Sequence, residues 1–196
     1  MTDTPQDRYI AIARQSFAKA GYHGVSLAQL ARKAGVSKQA FLHFFASKEK
    51  LYAAVLNKLS QDLCQEIALY ECARPEDQLV AYFQAFARRS LKAPNDAHLV
   101  IYALLMAEPD AKQWPLKPYL EALTDLGMST EAWRGGNRNL LRAEIFAILG
   151  SLQYVAISET TLNGLYGIKD KARIEDAFLA QIDQRAIQLV APAPPV

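Results

Sequence analysis

Helix-capping residues recur so densely near the N-terminus that only short, tightly turned helices fit between them. Thr4-Pro5-x-Asp7 starts a first helix, with Pro5 at the first helical position, where its missing N–H costs nothing, and Gly21 ends it. Ser26, with Gln29 three residues later, forms a capping box; Val25 is spaced to staple against Leu30, and Gly35 closes the second helix. Ser37 caps a third helix, Val36 and Phe41 repeat the staple spacing, and Ser47 opens a long fourth helix with apolar positions Tyr52, Leu56, Leu59 and Leu63. The spacing predicts three capped helices within residues 1–46 and a longer helix after them.

Within Leu27 to Ala46 the apolar set is Leu30, Ala34, Val36, Phe41 and Phe44, Ala31 is small where two helices must approach, and Gly35 sits at the turn. The outward set is Ser37, Lys38, Gln39, Leu42 and His43. This is a helix-turn-helix arrangement, whose second helix enters the major groove by its N-terminal end. Gln39 can pair bidentately with adenine, Lys38 can reach guanine acceptors or a phosphate, and the Ala40 methyl can touch a thymine methyl. Ser37, His43 and Lys48 suit phosphates, and with the helix-capping Ser26 they complete the candidate DNA-contacting set. Charge agrees: the first 60 residues carry nine Lys/Arg against three Asp/Glu, whereas the whole chain has 22 against 20, so a basic segment precedes a mildly acidic body.

Beyond Tyr70 the apolar residues still recur at three and four, and no alternating strand pattern appears, so the fold class is all-α, with about nine helices. Helices are expected near Pro75 to Lys92, Asn95 to Ala107, Pro115 to Leu126, Asn137 to Ser158 and Asp170 to Val190, punctuated by Pro94, Pro109, Gly135-Gly136, Gly164 and Gly167. The longest apolar runs, such as Leu99 to Ala107, stop well short of the roughly 18 residues of a membrane span. With no leader-like start and only Cys64 and Cys72 as cysteines, a cytoplasmic location is expected. The two thiols fit an inert pair better than a redox switch, and His23, His43 and His98 are too scattered for a metal site. No phosphate loop, nucleophile elbow or paired-carboxylate pattern is present, so neither an enzyme nor a cofactor is expected.

The run from Ser26 through Gly35-Val36-Ser37, Phe44-Phe45 and Ser47-Lys48-Glu49-x-Leu51 resembles the N-terminal signature of the tetracycline-repressor (TetR) family, over roughly residues 8 to 56. The family commonly has a tyrosine where Leu42 stands and a small residue at Gln39, which shifts the expected phosphate contacts toward Lys48 and His43. The resemblance implies a DNA-binding domain over 1–46 and an effector-binding and dimerisation domain over 47–196, whose last two long helices form a four-helix bundle with their mates. It implies a homodimeric repressor on a pseudo-palindromic operator, released by a small-molecule effector. Independently, Leu141, Ile145, Ile148 and Leu152 stripe one helix beside the small Ala147, Gly150 and Ser151, and Ile174, Phe178 and Ile182 line the last; such stripes are more often core than interface, and with the resemblance they become the candidate dimer interface. An apolar or aromatic effector is suggested by Tyr82, Phe83, Phe86, Tyr102, Met106, Trp114, Tyr119 and Tyr154, with His98, Gln153 and Glu108 as polar handles. The rival reading is a DNA-bound interaction protein that recruits a protein partner and has no small-molecule effector.

Overall fold

A computed structural model describes residues 4–105 and 114–192; Met106 and Glu108 lie outside them. The three short helices are α1 (Pro5–Ala20), α2 (Leu27–Ala34) and α3 (Lys38–Phe44), followed by the long α4 (Lys48–Leu69). Their caps are those expected. Ser26 Oγ accepts from the Gln29 N–H at 3.2 Å while Gln29 Oε1 accepts from the Ser26 N–H at 2.8 Å. Ser37 Oγ accepts from the Ala40 N–H at 3.1 Å, and Ser47 Oγ from that of Lys50 at 3.2 Å. Gly35 takes the left-handed conformation at φ 73°, which lets the Val36 N–H return to the Ala31 carbonyl at 3.0 Å and turn the chain into α3.

Tyr9, Phe17, Leu30, Phe41 and Phe45 close the core of this unit against Leu51, Tyr52 and Val55 of α4. Phe44 was expected inside, but 41% of it is exposed while Phe45 is buried. The cause is local: the backbone turns extended at Phe45 (φ −131°, ψ 105°), which swings that ring onto Phe41, 5.6 Å between centroids, and leaves Phe44 with an edge contact to Tyr9.

The body adds α5 (Pro75–Lys92), α6 (Asn95–Leu105), α7 (Lys117–Ser129), a 3₁₀ turn (Glu131–Trp133), α8 (Arg138–Ile157) and α9 (Glu159–Leu189). Nine α-helices among the described residues agree with the all-α expectation. α4 packs on α7, α8 on α5, α6 and α7, and α9 mainly on α5, while α1 rests on both α4 and α6. Helix α7 begins two residues later than expected because Pro118, not Pro115, occupies its first turn. Helix α9 begins eleven residues earlier than Asp170: the chain continues helically through Gly164 and breaks only at Gly167, φ 79° and ψ 163°.

Helix α8 is apolar on two faces. Leu141, Ile145, Ile148 and Leu152, proposed from sequence as interface, are each at most 1% exposed within the single chain and pack its own core. Ile182 is likewise buried, and Ile174 and Phe178 are half-buried. The outward side of the helix carries Phe146, Ala147, Gly150 and Tyr154, with Phe146 53% and Tyr154 70% exposed. Two apolar faces also explain why α8, with a mean hydropathy of 1.5 over an 18-residue window, is long and apolar enough to cross a membrane. In the sequence, Arg142 and Glu144 interrupt its apolar run.

Candidate nucleic-acid interface

The first turn of α3 presents Lys38, Gln39 and Ala40, all exposed, and His43 follows one turn on. The side chains point outward because Phe41, between them, is fully buried and fixes the rotation of the helix. Ser37 spends its hydroxyl on the cap, so the α3 N-terminus is already ordered before any contact with a partner. Ser26 does the same at the start of α2 and is exposed there. Leu42 is half-buried, at the edge of the same face.

Two cations near this surface are tied down by the protein. Arg8 Nη2 donates to the Ala34 carbonyl at 3.1 Å, fastening α1 to the end of α2, and Lys33 Nζ donates to Ser16 Oγ at 2.9 Å. Neither tie was legible in the spacing, because each crosses between helices. Lys48, expected to hold a phosphate, lies with its Nζ over the Tyr22 ring, 4.2 Å from the centroid, and partial burial lowers its pKa against the opposing pull of Glu49. Glu49 in turn accepts a 2.6 Å hydrogen bond from the Tyr22 hydroxyl, and that bond, with Ser47 next, holds its carboxyl down to about 2. Because the folded value is depressed, this contribution to stability is complete above the ordinary glutamate range and is lost as pH falls toward about 2. Tyr22→Phe is expected to move the Glu49 carboxyl upward toward the ordinary range in an NMR titration of its side-chain carbon; an unmoved midpoint would show that Ser47 and the helix terminus suffice.

The sequence-predicted ligand residues do not form one site. Tyr82, Phe83, Phe86 and Tyr119 do meet in the body: the Tyr82 hydroxyl donates to that of Tyr119 at 2.8 Å, and Phe86 stacks on Tyr82 with centroids 5.6 Å apart. Burial pushes both phenols well above the ordinary tyrosine range. Gln153 is buried on α8, whereas Tyr154 on its outer side and Trp114 face solvent. His98 and Tyr102 look the other way, toward α1: the Tyr102 ring is 3.4 Å from where a Cβ on Gly21 would stand, and His98 lines a cleft with Gln15, Ala18, Lys19 and Asn95. Met106 lies outside the described residues.

A capped two-helix reader with an outward polar first turn, set on a larger helical body, defines a helix-turn-helix protein. Residues 10–55 match the model of the bacterial regulatory proteins of the tetR family. Over 50 residues the chain is 46% identical to the HTH-type transcriptional regulator RutR of Escherichia coli (strain K12), and RutR of Shigella flexneri matches to the same extent. That match covers 26% of this chain and 24% of RutR, so it spans about a quarter of each of those regulators. Among solved structures, the regulator FadR from Bacillus subtilis in complex with stearoyl-CoA has a TM-score of 0.69 at 18% identity, over 95% of this chain and 98% of its own. FadR from Bacillus halodurans has a TM-score of 0.70 at 19% identity, over 95% and 96%. The tetR-family regulator PfmR from Thermus thermophilus aligns over all of both chains at a TM-score of 0.62 and 20% identity. At such identities the likeness is one of fold.

Proposed function

We propose that this protein is a cytoplasmic transcriptional repressor that binds a pseudo-palindromic operator as a homodimer and is released by a small apolar or aromatic effector, with residues 1–46 reading DNA and 47–196 sensing and dimerising. The observation that carries this reading is the first turn of α3, where Lys38, Gln39 and Ala40 stand clear of the protein on a helix already capped and anchored by Phe41. Ser26, Ser37, His43 and Lys48 are the backbone-contacting set, with Lys48 leaving its Tyr22 ring to reach a phosphate.

Dimerisation is supported by the outward side of α8, where Phe146 and Tyr154 flank Gly150, against which a Cβ would meet nothing within 4 Å. Ile187 on α9 and Leu165, Tyr166 and Ile168 around the Gly167 break are further exposed apolar side chains. The dimer contact is thereby assigned to the stripe next to the one first read from sequence. For the effector, Tyr82, Phe83, Phe86 and Tyr119 form a buried aromatic cluster with two hydroxyls, and the Bacillus subtilis FadR structure holds stearoyl-CoA, a ligand with a long apolar chain.

The test is selection of bound sequences from random duplex DNA, with the recovered motif retested by gel shift across a salt series. The expected motif is two-fold. Gln39→Ala should weaken binding roughly tenfold or more and relax preference at one base pair per half-site, since one bidentate base contact is worth about 1–3 kcal/mol. Failure to enrich any motif over nonspecific DNA would overturn the reading.

A further inference from the structure

A chain of charges fastens the N-terminal helices to the body. Arg14 on α1 reaches α6, where its Nε and Nη2 donate to the two carboxylate oxygens of Asp96 at 3.0 and 2.9 Å, a two-pronged fit. Its Nη1 donates to Asp62 of α4 at 2.6 Å, and Lys58 Nζ takes the other Asp62 oxygen at 2.7 Å. From α5, Arg89 clasps Glu66 of α4 in the same manner, at 2.9 and 2.6 Å, and extends Nη1 to within 3.5 Å of Asp96. Three cations thus alternate with three carboxylates across α1, α4, α5 and α6, and the charges balance.

The network is sheltered, with the Arg14 and Asp96 side chains each 24% exposed, so its pairs are less screened than surface ones. Burial opposes the Arg14 charge, yet Asp96 and Asp62 outweigh it and hold the guanidinium above its ordinary pKa. Burial likewise opposes the Asp62 carboxylate, and hydrogen bonds from Lys58 and Arg14 outweigh it and hold that group below its ordinary pKa. Around the fork the seam is not closed. Gln15 and Asn95, the residues following Arg14 and preceding Asp96, line an open cleft of about 390 Å³ between α1 and α6. The fork therefore lies beside a cleft that solvent enters, on a seam where α1 and α6 also pack on each other.

We propose that the Arg14–Asp96 fork is a latch that sets the angle of the N-terminal helices on the body, with Asp62, Arg89 and Glu66 holding its two halves in register. Opening the latch lets those helices swing about α4. The geometric claim stands apart from operator binding; its consequence, that the latch fixes half-site spacing, rests on the function proposed above.

The experiment places nitroxide labels at Ala28→Cys on α2 and Ala177→Cys on α9, both exposed, in a Cys64→Ala, Cys72→Ser background diluted with unlabelled protein. Pulsed electron resonance then gives the distance distribution between the N-terminal helices and the body. A single narrow distribution is expected in the parent, and a broadened one in Asp96→Asn and in Arg14→Gln, with no further broadening in the double variant. Arg14→Lys keeps the charge but removes the fork, so it should also broaden the distribution and serves where the other variants fail to fold. Distributions that stay narrow in the folded variants would overturn the latch. In parallel, operators lengthened by one base pair between half-sites should bind the parent about tenfold more weakly and Asp96→Asn less than about threefold more weakly. Equal discrimination in both would remove the latch from operator reading. A parent without specific DNA binding whose distances still respond to Asp96→Asn would sink the proposed function and leave the latch standing.

Discussion

Phe41→Ala is expected to lower the free energy of unfolding by about 3–5 kcal/mol, a large share of the total for a marginally stable protein. Phe41 is fully buried between Tyr9, at 5.1 Å, and Phe45, at 5.6 Å between centroids, so truncation leaves a cavity that three short helices have little means to collapse. Because Phe41 sits between Gln39 and His43, the same change should also loosen the orientation of the α3 surface. Phe44→Ala is the control: its ring is 41% exposed, and its loss should cost about 1 kcal/mol or less. Urea unfolding of the two variants, followed by helix content, separates these outcomes. Equal losses would mean that the extended turn at Phe45 does not sort the two neighbouring rings as the structure does.

The second large effect is expected on the outer side of α8. Phe146→Asp and Tyr154→Asp together should leave the protomer folded, since neither side chain contributes to its core, yet place two unpaired carboxylates in the proposed contact. A buried charge without a partner costs about 3–5 kcal/mol, so the dimer should dissociate at concentrations at least about a hundredfold higher than for the parent. Sedimentation velocity reads this directly, and operator affinity should fall with it as the two half-sites lose their link. Leu141→Asp makes the comparison: that side chain is fully buried inside the protomer, and its variant should unfold rather than dissociate. A double variant that remains as dimeric as the parent would move the interface elsewhere.

The contrast between these positions shows what was legible in the sequence. The N-terminal unit was read almost residue by residue because its instructions are local: a serine oxygen and an N–H three residues on meet at Ser26, Ser37 and Ser47 whatever the rest of the chain does. The exposed first turn of α3, Lys38 to Ala40, followed from the helical period once Phe41 was placed inside. Phe44 and Phe45 were ambiguous because the helix ends between them, and the period loses its authority where the backbone leaves the helix.

In the body, the same period was insufficient. Helix α8 carries two apolar stripes, and burial is non-directional, so nothing in the spacing states which stripe belongs to α5 and α7 and which faces away. The stripe from Leu141 to Leu152, a candidate for core or partner in the sequence, is buried within the single chain, whereas Phe146, Gly150 and Tyr154 face outward and were marked in the sequence only by the small Gly150. The aromatic residues behaved alike: Tyr82 and Tyr119, 37 positions apart, share a hydrogen bond, whereas Tyr102 and His98 turn toward α1. The Arg14–Asp96 fork joins residues 82 positions apart, and as charges in sequence they were two among many. Helix boundaries and the outward face of α3 belong to the local chain, because capping and periodicity act over a few residues. Which faces meet, which charges pair and where the seam opens were decided by packing, because those energies exist only once distant helices have come together.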